Sequence, residues 1–268
     1  MPIITISRGS YSKGREIGEK VARKLGYDCL SREIMIKASE HFDVPEIKLA
    51  RALHDAPSIW ERFTYGKERY LAYVESTLLE TAQKDNLVYH GLGGQFILKG
   101  IRHVLNVRIL ADLEDRIQLE MEREKISRDE AVEALERDDH ERRGWSRAVW
   151  GVDNGDPRLY DIVIHIGKVS VDDAVELICH AAGLEHLKQT PESQKTVDDR
   201  LLAARAKVTL ISEFPGIRVT ADDGAVNVEI EAPLIQEAII ADELKQALRS
   251  IEGIKAVTVH VIPSGVET

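Results

Sequence analysis

The chain has 268 residues, of which 43% are hydrophobic and 31% charged, and it carries a formal net charge of −10. That length fits one large domain or two modest ones, with enough apolar material for a packed core. The acidic balance excludes general coating of DNA or RNA, which needs a basic face, but leaves room for a nucleotide held by local arginines.

In chain order, Ile3-Ile4-Thr5-Ile6 reads as a buried strand, and Ile17, Val21 and Leu25 mark one face of a helix that ends at Gly26. Between them Gly9 and Gly14 stand at the spacing of a phosphate-binding loop, G-x-x-x-x-G-K-[ST]. The candidate phosphate-holding residues are Gly9, Ser10, Tyr11, Ser12, Lys13, Gly14, Arg15 and Glu16. Small residues let backbone N–H groups converge on an anion, and the helix N-terminus adds its dipole. Arg15 stands where the loop lysine is expected and Glu16 where the Mg²⁺-binding hydroxyl is expected. Arginine still supplies a cation and a bidentate fork.

Tyr27 to Leu30 suits a short strand. Ser31 is a candidate N-cap for a helix over Glu33 to Ser39. Residues 40–66, broken by Pro45 and Pro57, suggest short helices. Tyr70, Leu71, Val74, Leu78 and Leu79 follow a helical period up to Asp85-Asn86. Leu87 to His90 is the next strand, and Gly91-Leu92-Gly93-Gly94 follows, where glycines would let a ligand approach the backbone. Val104 to Leu110 is a further strand, interrupted by Asn106 and Arg108. Asp112 is a candidate cap for the helix through Leu113, Ile117 and Met121, and Ser127 to Glu130 fits a capping box for another. Arg137, Arg142, Arg143 and Arg147 then lie near Trp145 and Trp150. Ile162 to Ile166 is the fifth strand, and Ser170 to Asp173 caps the helix ending near Gly183.

Five strands alternating with helices predict an α/β fold with a five-stranded parallel sheet covered on both faces, and ligands bind beyond the carboxyl ends of such strands. Residues 185–196 are polar, include Pro191 and read as a linker between a domain over 1–184 and a second over 197–268. The second unit has the order α-β-β-α-β, a small α+β module: a helix with Leu201, Leu202 and Val208, strands at 217–221 and 225–231 around Asp223-Gly224, a helix face of Ile240, Leu244 and Leu248, and a strand at 256–261.

Cys29 and Cys179 are the only cysteines and lack C-x-x-C spacing, so neither a disulfide framework nor a zinc site is signalled. No histidine pair has metal-ligand spacing, and no metal ligand is assigned. No apolar run approaches membrane-spanning length, and no signal-peptide pattern precedes the first strand, so a cytoplasmic protein without a transmembrane segment is expected.

Several of these residues together resemble the cytidylate kinase-like branch of the P-loop nucleoside monophosphate kinases, over about residues 2–182. Ile4-Thr5-Ile6-Ser7-Arg8 with Gly14-Arg15-Glu16-Ile17-Gly18 is similar to that branch's variant loop, in which arginine and glutamate replace lysine and serine. Ser31-Arg32-Glu33 resembles its Asp-Arg-Glu motif. Asp139-His140-Glu141-Arg142 with Trp145 resembles its lid signature, and Leu159 to Ile164 its Tyr-Asp strand. Gly91-Leu92 stands where the family usually has Gly-Arg. Residues 197–262 resemble a BON domain at Asp223-Gly224-Ala225-Val226 and Glu252-Gly253-Ile254.

The resemblance implies a P-loop kinase core that uses ATP with Mg²⁺. Arg15 and Arg142 are the implied catalytic residues, and Arg32, Gly91, Arg143 and Arg147 the implied substrate-binding residues. The implied reaction is phosphoryl transfer to a small-molecule acceptor, a nucleoside monophosphate, with CMP or dCMP first. The alternative is a nucleotide-binding regulator without strong catalysis that signals through the BON-like module. That module is expected to bind a ligand or partner, and a homo-oligomer stays open.

Overall fold

A computed structural model of the chain describes residues 2–9, 12–44 and 66–263. Loop residues Ser10 and Tyr11, the 45–65 segment expected as short helices, and the side chains of Arg32, Met35 and Leu234 lie outside that description.

The first unit alternates strands and helices. Its elements are β1 (Ile3–Arg8), α1 (Gly14–Leu25), β2 (Asp28–Leu30), α2 (Arg32–His41), α3 (Gly66–Ala82), β3 (Leu87–Tyr89), α4 (Gly94–Ile97), β4 (Val104–Ala111), α5 (Leu113–Glu124), α6 (Arg128–Trp150), β5 (Ile162–Ile166) and α7 (Val171–Ala182). The strands form one five-stranded sheet in the order β2-β3-β1-β4-β5, with every neighbouring pair parallel. The expected α/β architecture is therefore present.

The two faces of the sheet follow the period-2 alternation of each strand. Ile3, Leu87, Tyr89 and Val104 face one way, into a core with Val74, Leu78 and Leu79 of α3. Ile4, Ile6, Val88, Leu105 and Val107 face the other way, against Ile17 and Val21 of α1 and Ile178 of α7. Strands buried on both faces read as continuous apolar runs, which is what parallel sheets require.

Local sequence sets most helix ends. Gly26 takes a left-handed conformation with φ 70° and returns its N–H to Ala22 O, as expected. Ser127 and Ser170 each form a full capping box. Ser31 and Asp112 occupy N-cap positions but make no side-chain capping bond. At Ser31 the helix satisfies itself in reverse, with the Glu33 carboxylate accepting the Ser31 N–H at 2.8 Å. The arginine-rich stretch from 137 to 150 continues the Ser127-capped helix, so α6 is one element of 23 residues.

The stretch expected as a linker is different. Residues 185–196 hold a 3-10 turn, Glu185–Leu187, and the first turns of α8 (Pro191–Leu210). The helix starts early because Thr190 Oγ1 accepts the Ser193 N–H at 3.1 Å while Ser193 Oγ accepts the Thr190 N–H at 2.9 Å. Pro191 then needs no donor, since the first helical N–H has no intrahelical acceptor anyway. The lack of apolar period over 185–196 reflects a helix start that is mostly solvent-facing, not a missing helix.

The C-terminal unit follows with β6 (Arg218–Asp222), β7 (Ala225–Ala232), α9 (Glu237–Leu248) and β8 (Ala256–Pro263). Its three-stranded sheet runs β6-β7-β8, antiparallel then parallel. Helix α8 serves both units. Val197, Leu201 and Ala204 enter the core beside α3, whereas Ala206 and Leu210 enter the core of the small sheet with Val226, Val228 and Leu244.

Candidate functional site

Strand β1 ends at Arg8, and the chain turns through Gly9 into α1. Ser12 is fully buried and donates its hydroxyl to Gly9 O at 3.0 Å. Lys13 sits in the left-handed region at φ 61°, a conformation uncommon outside glycine and frequent in functional loops. Ile17 N–H returns to Lys13 O, so the N–H groups of Gly14, Arg15 and Glu16 form the first turn, without intrahelical acceptors. They face the region beyond the carboxyl ends of β1 and β4, with the positive end of the helix dipole.

Beside this turn lies a narrow cleft of about 120 Å³ lined by Arg8, Gly9, Arg108, Arg116, Arg142 and Arg143, among others. It collects five arginines and a single aspartate, Asp139. Arg116 is held by Asp139 at 2.8 Å, with only 12% of its side chain exposed, and its guanidinium carbon lies close to Gly9. Arg142 reaches from α6 across to Arg8 O at 3.5 Å. Arg108, on β4, donates to Tyr160 Oη at 3.0 Å and to Asn154 O, and its guanidinium lies 5.3 Å from the Tyr160 ring centroid. Tyr160 Oη in turn reaches Ser7 Oγ at 3.1 Å. Asp161 ties the same corner to the sheet by accepting the Asn106 N–H at 2.7 Å. Like charges gathered this closely repel, and an anion between them would relieve that repulsion.

The fold brings Gly9, Ser12, Gly14, Arg142 and Arg143 to one place. It sets others apart. Arg15 points to solvent, 72% exposed, and pairs with Glu19 one helical turn on at 2.8 Å. Glu16 pairs with Lys20 at 3.2 Å. Arg147 pairs with Asp153 at 2.6 Å, and the Gly155 N–H, more than Arg147, holds that carboxyl below its ordinary range. Arg32 opens α2 next to the end of β2. Glycine at 91 and 94 answers to packing: a Cβ at Gly91 would lie 2.2 Å from Tyr89 Oη, and one at Gly94 2.7 Å from the same ring. These glycines make room for a buried tyrosine. Trp145 is 2% exposed in the core, and Trp150 stacks on Phe96 with centroids 5.2 Å apart.

Sequence reasoning singled out neither Arg108 nor Arg116 nor Tyr160 as site residues. Parallel register held the signal. Ser7 of β1 sits opposite Arg108 of β4, so a charged residue interrupting β4 had to lie beside the loop. His90, 7% exposed at the end of β3, is held below its ordinary pKa by burial first and by Arg8 second.

No described group of three or more His, Cys, Asp or Glu residues could hold a metal ion. Asp139, the one acid among the described residues of the cleft, is committed to Arg116, and the Ser12 hydroxyl is turned to Gly9 O. That donor set offers little to a resident hard cation, which prefers free carboxylate and hydroxyl oxygens. No helix among the described residues is long and apolar enough to cross a membrane.

The family model described as cytidylate kinase-like family matches residues 3–168. No curated protein matches the chain. Among solved structures, an uncharacterized protein from Eubacterium ventriosum is similar with a TM-score of 0.53 and 22% identity, covering 68% of this chain and 98% of its own. A shikimate kinase from Acinetobacter baumannii superposes with a TM-score of 0.38 at 14% identity, over 68% of this chain and 92% of its own. A dephospho-CoA kinase from Campylobacter jejuni does so at 0.34 and 15%, over 67% and 96%.

Proposed function

The chain belongs to the cytidylate kinase-like family, and we propose that it is an ATP-dependent phosphotransferase acting on a nucleoside monophosphate, with CMP or dCMP as first choice. The observation that carries this reading is the convergence of the glycine-framed loop, the N-terminus of α1 and the arginine cleft at the carboxyl ends of β1 and β4. Phosphoryl transfer asks little covalent chemistry of a protein; it asks for alignment and positive charge.

In this mechanism MgATP is the donor. The N–H groups of Gly14, Arg15 and Glu16 hold its phosphates. An acceptor phosphate oxygen attacks the γ-phosphorus, the bond from that phosphorus to the β,γ-bridging oxygen breaks, and ADP leaves with the electron pair. Arg142 and Arg143, carried by α6, neutralise charge on the transferred group and close the cleft to water, which would otherwise take the phosphoryl group. Arg32, with the loop near Gly91, is assigned to the acceptor. Arg15 carries the family's loop position; to reach phosphate it would have to leave Glu19. Arg147 would likewise have to leave Asp153.

Residues 1–184 are assigned to phosphotransfer, and 197–268, as a BON-like module, to binding a ligand or partner. We place the protein in the cytoplasm, in keeping with two free cysteines. The second reading, a nucleotide-binding regulator, is favoured by Leu92 at the usual arginine position and by the outward turn of Arg15. A coupled assay with MgATP and a panel of monophosphates separates the two. The kinase reading expects turnover on at least one pyrimidine monophosphate; MgATP binding without transfer to any acceptor supports the regulator.

A further inference from the structure

The loop pattern puts its cation directly after the second glycine, and in this chain that residue faces away from the cleft. Arg15 is 72% exposed and bound to Glu19. Another arginine packs its stem against this turn. Arg8 closes β1, and its side chain runs across the first residue of α1: a Cβ on Gly14 would lie 2.8 Å from Arg8 Cβ and 3.0 Å from its Cδ. Gly14 is therefore bare because the stem of Arg8 lies over it. Arg8 also lines the cleft with Gly9, Arg108 and Arg142, and Arg142 donates to the Arg8 carbonyl.

We propose that Arg8, rather than Arg15, is the cation that holds the β- and γ-phosphates of the donor at this loop. The inference rests on the phosphotransferase reading and names a residue that the loop pattern does not. Arg8 extends from the end of a central strand, so its stem is fixed by the sheet on one side and by α1 on the other. Little side-chain freedom remains to be lost when it takes a phosphate with its planar fork. Arg15 lies on an exposed helix turn and is absent from the cleft lining. During transfer Arg8 donates hydrogen bonds to non-bridging oxygens and stabilises the charge left on the leaving ADP. It moves no proton.

The test is calorimetric titration of the full chain with MgATP, without acceptor, in the parent and in Arg8→Met and Arg15→Met, each checked by thermal melting. Methionine keeps an unbranched stem over Gly14 and removes the charge. Arg8→Met should weaken MgATP binding about tenfold or more and cut turnover about a hundredfold, a larger loss on both than that of Arg15→Met. Where Arg8→Met lowers the melting temperature, Arg8→Gln takes its place and is read the same way. Loss in Arg15→Met with parental binding in the Arg8 variants overturns the proposal while leaving the enzyme reading intact. A parent that binds no MgATP overturns both.

Discussion

At the scale of single residues, Tyr160 holds the corner of the site together. Its hydroxyl meets Arg108 Nη1 at 3.0 Å, Ser7 Oγ at 3.1 Å, Asn154 O at 2.8 Å and Gln95 Nε2 at 3.3 Å. Removing it by Tyr160→Phe leaves Arg108 stacked and bonded to Asn154 O but without its hydroxyl partner, and a buried hydrogen bond to a charged group is worth about 1.5–3 kcal/mol. We expect turnover to fall about tenfold with MgATP affinity nearly kept, measured as a split between kcat and KM. Gly91→Ala should act on stability instead. Its Cβ would meet Tyr89 Oη at 2.2 Å, and overpacking of that kind costs about 1–3 kcal/mol, seen as a lower denaturation midpoint. The loop glycines were legible in the sequence because their spacing is local. The roles of Arg8, Arg108 and Tyr160 were not, because they depend on which strands lie side by side. Arg15 shows the converse: its place in the motif was plain, but the direction of an exposed side chain is set by a neighbour one helical turn away.

Among the elements, α8 has the most to show. Its N-terminus is joined to the first unit through a buried chain of polar groups, in which His103 Nδ1 lies 2.8 Å from Ser193 Oγ and His103 Nε2 lies 3.1 Å from Asp85 Oδ1. His103 is fully buried and Ser193 is 2% exposed, so the grouping of Ser, His and Asp pins a helix and meets no substrate. Burial, more than the opposing pull of Asp85, holds the His103 pKa below its ordinary value. The folded state then binds fewer protons than the unfolded chain, in which histidine titrates near about 6.5. Stability from neutral His103 is complete above that value and is lost as the pH falls through it toward the lower folded pKa. Buried His90 is shifted the same way, for the same first reason. The urea midpoint should therefore drop between about pH 7.5 and about pH 5.5, and the drop should shrink in His103→Gln. Thr190→Ala should cost about 1 kcal/mol through loss of the cap. The helix start was missed in the sequence because its box closes with Ser193 rather than with a longer acid or amide. The capping boxes at Ser127 and Ser170, whose third residues are acids, were legible.

For the molecule as a whole, the net charge of −10 and an arginine-lined cleft describe an acidic body with a local positive pocket. That distribution favours a small polyanion over a nucleic acid, since a long phosphate backbone needs a basic face wider than one cleft. The alternation of five apolar strands with helices made the sheet readable without structure. The dependence of the two units on a shared helix was not, because α8 serves the two cores with two faces, Val197, Leu201, Ala204 and Val208 on one and Leu202, Ala206 and Leu210 on the other. A piece ending at residue 184 lacks Val197, Leu201 and Ala204 from the core beside α3. It should melt well below the full chain, since losing one buried leucine side chain alone costs about 2–5 kcal/mol; equal melting temperatures would show that α8 adds nothing to the first unit. The central claim is phosphoryl transfer, and it is tested most directly by incubating the full chain with γ-labelled ATP, Mg²⁺ and CMP or dCMP and following the label. A kinase with this site transfers label to the pyrimidine diphosphate, and Arg142→Met loses that transfer. Label that stays in ATP, or appears only as inorganic phosphate, with every monophosphate offered would contradict it.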